Sequence, residues 1–184
     1  MAEPLLLVVT GMPASGKTTV ARGLAAQLRL PLVTKDDIKE RLYDELGTGD
    51  VEWSRRLGAA AYGLMFDFCR ELLTAGRSVA AEGNFFSGSQ EAQFEELPAH
   101  RLVQVCCTAP LEVLLARYGE RARHPGHLDI QRVGELRKRF DAGMHGPLAL
   151  EGELIEVDTS APVDVKALAK RVQAAASASS TSLP

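Results

Sequence analysis

Residues 5–18 read Leu-Leu-Leu-Val-Val-Thr-Gly-Met-Pro-Ala-Ser-Gly-Lys-Thr, an apolar run that breaks into a glycine-bracketed loop and then a helix-forming stretch. From Gly11 through Met12, Pro13, Ala14, Ser15, Gly16 and Lys17 to Thr18 the spacing is G-x-x-x-x-G-K-T, in the strand–loop–helix setting that this pattern requires. Gly11 and Gly16 permit backbone torsions that turn successive N–H groups into one concavity. The helix opening at Lys17 adds partial positive charge at the same spot, which suits the β-phosphate of a nucleotide. Lys17 is expected to bridge the β- and γ-phosphates of ATP, the Thr18 hydroxyl to ligate Mg²⁺, and Thr19 to extend the nucleotide contact. A dinucleotide site of the G-x-G-x-x-G type is excluded, because that spacing is absent.

Further short apolar runs follow at 31–34, 78–82, 102–107 and 154–157, most of them apolar throughout, as befits strands covered on both faces. Helix-forming stretches lie between them at 17–28, 37–46, 52–75, 111–122, 131–141 and 163–175, and Gly76 is well placed to end the third. The alternation predicts a three-layer α/β domain with a five-stranded parallel sheet and right-handed crossovers. The domain is expected over 1–173, with an Ala/Ser-rich, disordered tail over 174–184. A net charge of −3 argues against a general nucleic-acid binder. The opening residues lack a basic leader and the first apolar run is too short to span a membrane, so a cytoplasmic protein is expected. Cys69, Cys106 and Cys107 read as reduced, buried residues without metal-ligand spacing.

Asp36 and Asp37 end the second strand, and ligands bind at the carboxyl ends of such strands. One of them can accept the proton of a hydroxyl that attacks the γ-phosphate, while either can instead cap the following helix; spacing alone leaves both roles open. Thr34-Lys35-Asp36-Asp37 also fits a variant of the guanine-recognition motif of GTPases, but that motif follows a late strand, and this one follows the second.

Gly-x-Pro-x-Ser-Gly-Lys-Thr, the Asp36-Asp37-x-Lys39 helix start and a late Arg-rich segment together resemble the P-loop kinases of small molecules and of polynucleotide ends. The resemblance covers roughly residues 5–160 and is strongest to the ATPase-like kinases that include polynucleotide 5′-hydroxyl kinases. Chloramphenicol phosphotransferase, gluconate kinase and zeta toxins are more distant. It implies a P-loop kinase fold with the loop strand central and a helical lid at about 117–141. It also implies ATP and Mg²⁺ as cofactors, Asp36 as general base and Lys39 as a positive group beside the acceptor. Glu82, at the end of the third strand, would hold Mg²⁺ through water, and Asn84 and Phe85 would reach the acceptor.

Arg117, Arg121 and Arg123 fall in the segment from 117 to His127, the first two four apart and so on one face of the expected helix. In related kinases such arginines close over the phosphates, whereas the bland alternative is a solvated basic face. Asp158, Thr159 and Ser160 match the adenine-side loop of the family. The acceptor side is expected to draw on Trp53 and Arg56, with His127 facing the substrate. The expectation is thus an ATP:alcohol phosphotransferase acting on a small molecule that bears a hydroxyl, as a monomer or homodimer. A polynucleotide 5′-hydroxyl kinase and an ATP-dependent regulatory protein are the alternatives.

Overall fold

The computed structural model describes residues 3–144 and 146–178. Strand β1 (Leu5–Gly11) lies at the centre of a parallel sheet, flanked by β3 (Val79–Glu82) and β4 (Arg101–Thr108), with β2 (Leu32–Thr34) and β5 (Glu153–Asp158) at the edges. All seven residues of β1 are buried, which explains why the strand is apolar without alternation. Leu5, Leu7 and Val9 face α1 (Lys17–Leu28) and α7 (Val165–Ala178), meeting Leu24, Leu168 and Val172. Leu6 and Val8 point the other way, onto Met65, Cys69 and Leu73 of α3 (Val51–Thr74) and Phe94 of α4 (Glu91–Glu95). Each such side chain contributes roughly 1.5–3 kcal/mol by leaving water.

The expected elements are present with small shifts at their ends, and α4 is an addition that was not expected. Helix α3 ends as anticipated at Gly76: its φ is 68°, Gly76 N–H donates to Leu73 O and Arg77 N–H to Leu72 O, the paired bonds of a Schellman stop. Helix α7 runs on to Ala178, past the position where the tail was expected to begin; residues 179–184 lie outside the described range.

Helix α2 (Lys35–Leu46) starts earlier than expected, and its N-cap is Thr34, whose hydroxyl accepts from Asp37 N–H at 3.1 Å. The capping role that spacing left open to Asp36 or Asp37 therefore belongs to Thr34. After β4 come α5 (Leu111–Glu120), a 3-10 turn (Pro125–His127) and α6 (Asp129–Asp141). Leu114 and Tyr118 of α5 and Leu136 of α6 share one small core with Met12. The helical pair is thereby anchored on the glycine-rich loop itself.

Candidate active site

The loop after β1 is shaped by sterics. A Cβ on Gly11 would lie 2.4 Å from Cys107 O, and Gly16 sits at φ 76°. Ala14 takes φ 66°, a left-handed torsion in a residue that rarely adopts it. Lys17 folds back over the loop, donating to Met12 O at 3.3 Å and lying 4.0 Å from Glu82 Oε1. Burial pulls its pKa below the ordinary lysine value, against the opposing pull of Glu82 and Asp36. A phosphate arriving there would meet an ammonium already aimed and largely stripped of water.

Glu82 is buried, its pKa raised by that burial, and its Oε2 has no hydrogen-bond partner among the described residues. Its carboxylate is hydrogen-bonded by the Thr18 side chain. A hydroxyl and an under-satisfied carboxylate beside the phosphate lysine are donors that a hard divalent cation such as Mg²⁺ takes, so the pair fits the expected metal site. Among the described residues no group of three or more His, Cys, Asp or Glu is arranged as a protein-only metal site.

Asp36 and Asp37 both lie in the first turn of α2, since β2 ends at Thr34, and their side chains part from there. Asp37 turns outward to Arg22 at 3.1 Å, both side chains being more than half exposed. Asp36 turns inward, where Lys35 Nζ lies 3.0 Å from Oδ1 and Arg123 Nη2 lies 2.5 Å from Oδ2. Burial alone would raise the Asp36 pKa, but Lys35, Arg123 and Lys17 together hold it far below the ordinary carboxylate range. Arg123 also lies 3.7 Å from Glu40, and His127 Nε2 sits 2.9 Å from both Glu40 Oε1 and Arg123 Nη2. Burial and the neighbouring Arg123 push His127 down to about 3, so its ring is neutral at physiological pH. His124 stacks on Tyr43 with centroids 5.1 Å apart. The 3-10 turn is thus latched to α2, which sets Arg123 against Asp36. His127 belongs to this latch and also borders the cavity beside it.

That cavity, about 300 Å³, is enclosed by α2, α3, the loop after β3 and the lid. Of the expected residues it brings together Pro13, Asp36, Lys39, Asn84, Arg121, Arg123 and His127. Asn84 Oδ1 is buried with no hydrogen-bond partner among the described residues. Trp53, Arg56 and Phe85 are not among its walls. Trp53 Nε1–H donates to Gly47 O at 3.0 Å and Arg56 lies over the Trp53 ring, because α3 turns its Ser54–Gly58–Tyr62 face inward instead. Phe85 is 2% exposed and packs edge-on against Phe94, and Phe86 takes the place at the wall. Lys35, Ser54 and Arg139 line the cavity without having been anticipated. A signal for the first was present, since Lys35, Lys39 and Tyr43 recur every four residues and are the buried face of α2.

A second cavity, about 420 Å³, borders the loop at Gly16 and is lined also by Thr19, Arg117, Thr159, Ser160 and the apolar stretch through Val165. Thr159 Oγ1 lies 2.7 Å from Ser15 O and 2.9 Å from Thr108 O, tying this wall to the phosphate loop. Arg117 donates to Thr159 O at 2.7 Å, whereas Arg121 lies over the Tyr118 ring in the first cavity. The two arginines do not share a face, because α5 stops at Glu120 and Arg121 is extended. Asp158 borders neither cavity; its carboxylate accepts from Ser160 N–H and shapes the turn.

The sequence profile of the AAA domain family matches residues 6–142. A structure of a candidate kinase from Chloroflexus aurantiacus superposes with a TM-score of 0.84 at 35% identity, covering 95% of this chain and 99% of that one. A gluconokinase from Sinorhizobium meliloti shares the fold, with a TM-score of 0.60 at 18% identity and full coverage of both chains. An uncharacterized protein of Mycobacterium tuberculosis is 32% identical over 127 residues, 64% of this chain. The chain spans about a quarter of that relative's length, 26%. No described helix is long and apolar enough to cross a membrane.

Proposed function

The chain belongs to the AAA domain family and has a P-loop kinase fold, and on that premise we propose that it transfers the γ-phosphoryl group of ATP to a hydroxyl of a small molecule. One observation carries the reading: two cavities of different character meet at the glycine-rich loop. The more apolar one, beside Gly16 and Thr19, suits a nucleoside, and the charged one, beside Pro13, holds Asp36, Arg121 and Arg123.

With the triphosphate seated on the loop, Lys17 neutralises its β- and γ-oxygens. Thr18 and Glu82 would hold Mg²⁺, which spreads phosphate charge when bound. The acceptor oxygen bonds to the γ-phosphorus as the bridging P–O bond breaks, its electron pair leaves with ADP, and the hydroxyl proton passes to Asp36. In the resting arrangement Asp36 is a weak base, held down by Lys35, Arg123 and Lys17. Phosphate oxygens that draw off Arg123 and Lys17 would release that hold and make the carboxylate more basic when the hydroxyl must lose its proton. Arg121 and Arg123 then face the phosphoryl group in flight, where a guanidinium fork is most useful.

The test is a mass-resolved assay for gain of one phosphate across a broad panel of alcohols, run beside Lys17→Ala. Acceptor-stimulated ADP release that disappears in folded Lys17→Ala protein supports the reading. ATP binding with no transfer to any acceptor would instead identify a nucleotide-dependent binding protein.

A further inference from the structure

We propose that the solvent face of α3 is a self-association surface, on which a second copy of this chain packs its own α3 antiparallel about a two-fold axis. The proposal stands apart from the phosphotransferase reading and uses a different side of the helix from the one that lines the acceptor cavity. Ser54, Gly58 and Tyr62 turn to that cavity. Ala60, Leu64 and Phe68, spaced one helical turn apart, turn to solvent, Leu64 at 40% and Phe68 at 53% exposure. Large apolar side chains set together in water and rimmed by charge mark a surface shaped for another protein.

The face carries both a projection and a recess. Phe68 stands out from the helix, whereas Ala60 and Gly63, one to two turns earlier, are flat and exposed. A Cβ on Gly63 would meet nothing within 4 Å, and its φ is not in the left-handed region. Nothing inside the chain therefore requires glycine at this position, although glycine weakens a helix interior relative to alanine. The close approach of a second backbone does require it. With Leu64 opposite its own copy, antiparallel pairing sets Phe68 of each protomer over Ala60 of the other, large against small.

Charge selects the partner and its direction. Along α3, Arg55 is paired with Glu52 and Glu135, and Arg70 with Asp67. Arg56 lies over the Trp53 ring, and among the described residues neither it nor Glu71 is in an ion pair. These two stand about two turns before and two turns after Leu64. The same antiparallel register brings Arg56 of each copy beside Glu71 of the other, twice per dimer by symmetry. A parallel pair would set arginine beside arginine and glutamate beside glutamate, which is repulsive.

One pair of helices is a modest contact, so exchange between monomer and dimer in the micromolar range is expected. The full chain is followed by sedimentation velocity and light scattering from about 1 to 200 µM, with unfolding midpoints recorded for every variant. Wild type should shift from monomer to dimer across that range. Phe68→Glu should weaken association about 100-fold or more. Gly63→Gln should weaken it about 10-fold or more while Tm holds or rises, because glutamine is the better helix former. Arg56→Glu and Glu71→Arg should each weaken self-association about 10-fold or more, since each sets like charges together twice. An equimolar mixture of these two proteins restores both attractions, and its heterodimer should form within about threefold of the wild-type affinity. Wild type that stays monomeric overturns the proposal. So does a dimer that survives Phe68→Glu, which would use another surface, or a mixture that associates no better than its components.

Discussion

Asp36→Asn separates the electrostatic role of this carboxylate from its chemical one. At 3.0 Å from Lys35 and 2.5 Å from Arg123 the raw attraction is about 5 kcal/mol or more per pair at an effective dielectric of 20, before desolvation is subtracted. Breaking a fully buried pair costs about 3–5 kcal/mol and an exposed one about 0–1. The Asp36 side chain is 20% exposed and asparagine keeps one acceptor, so a loss of about 2 kcal/mol is expected, or about 4–8 °C in Tm for a chain of this size. The fold depresses the Asp36 pKa, so its stabilisation is complete above the unfolded value of about 3.9 and is lost as pH falls below it. The Tm gap between wild type and Asp36→Asn should therefore be steady between about pH 5 and 8 and close under stronger acid. Turnover should fall about 10²–10⁴-fold, the usual worth of a general base, with the KM for ATP little changed. Asp37→Asn is the control: its exposed pair with Arg22 is worth about 0.5 kcal/mol or less, and activity should persist. An Asp36→Asn protein with a tenth or more of wild-type kcat refutes the base assignment. An unchanged Tm refutes the electrostatic reasoning.

Three further outcomes follow from the geometry. Arg123→Ala should lower kcat about 10²–10³-fold while leaving ATP affinity within about fivefold, read by turnover and by nucleotide titration. Thr159→Val leaves Ser15 O and Thr108 O without their shared hydroxyl, so a stability loss of about 1–2 kcal/mol in urea unfolding, with weaker ATP binding, is expected. Gly11→Ala places a methyl carbon 2.4 Å from Cys107 O, and a loss of more than about 3 kcal/mol should appear as a collapsed unfolding midpoint. A stable Gly11→Ala protein would count against the close approach of β1 and β4 at that point.

What could be read in the chain was what is local in it. The phosphate loop declares itself because its chemistry is confined to eight consecutive residues whose torsions and charges serve one anion. The strands were legible because a sheet covered on both faces needs unbroken apolar runs. Errors arose where two local solutions compete. Thr34 and Asp37 both make good caps, and only the backbone direction leaving β2 decides between them. On α3 the apolar positions spread past a single stripe: Leu64 and Phe68 are 40% and 53% exposed, while Met65, Cys69 and Leu73 take the core. Arg117 and Arg121 were placed on one face by a helix expected to run on to 122, and its stop at Glu120 parts them. The latch that sets Arg123 and His127 against Asp36 and Glu40 joins positions 87 residues apart, and no spacing rule reaches that far.

The order of strands in the sheet also bears on how the chain first reaches its fold. β1 is made first and stands at the centre, yet it pairs with neither β2 nor anything else nearby. Leu5 N–H finds its acceptor in Ser78, 73 residues later, and the other edge of β1 waits for β4, with Leu5 opposite Arg101. At ribosomal speeds of about 5–20 residues per second, this apolar strand spends on the order of 5–20 s without both of its neighbours. During that interval its backbone edges and leucines are open to other nascent chains, and contacts of such long sequence separation form slowly even after release. The element that organises the nucleotide site thus gains its second hydrogen-bonded neighbour only once residues 101–108 are made, and the nascent chain is most vulnerable to aggregation before β4 has been synthesised.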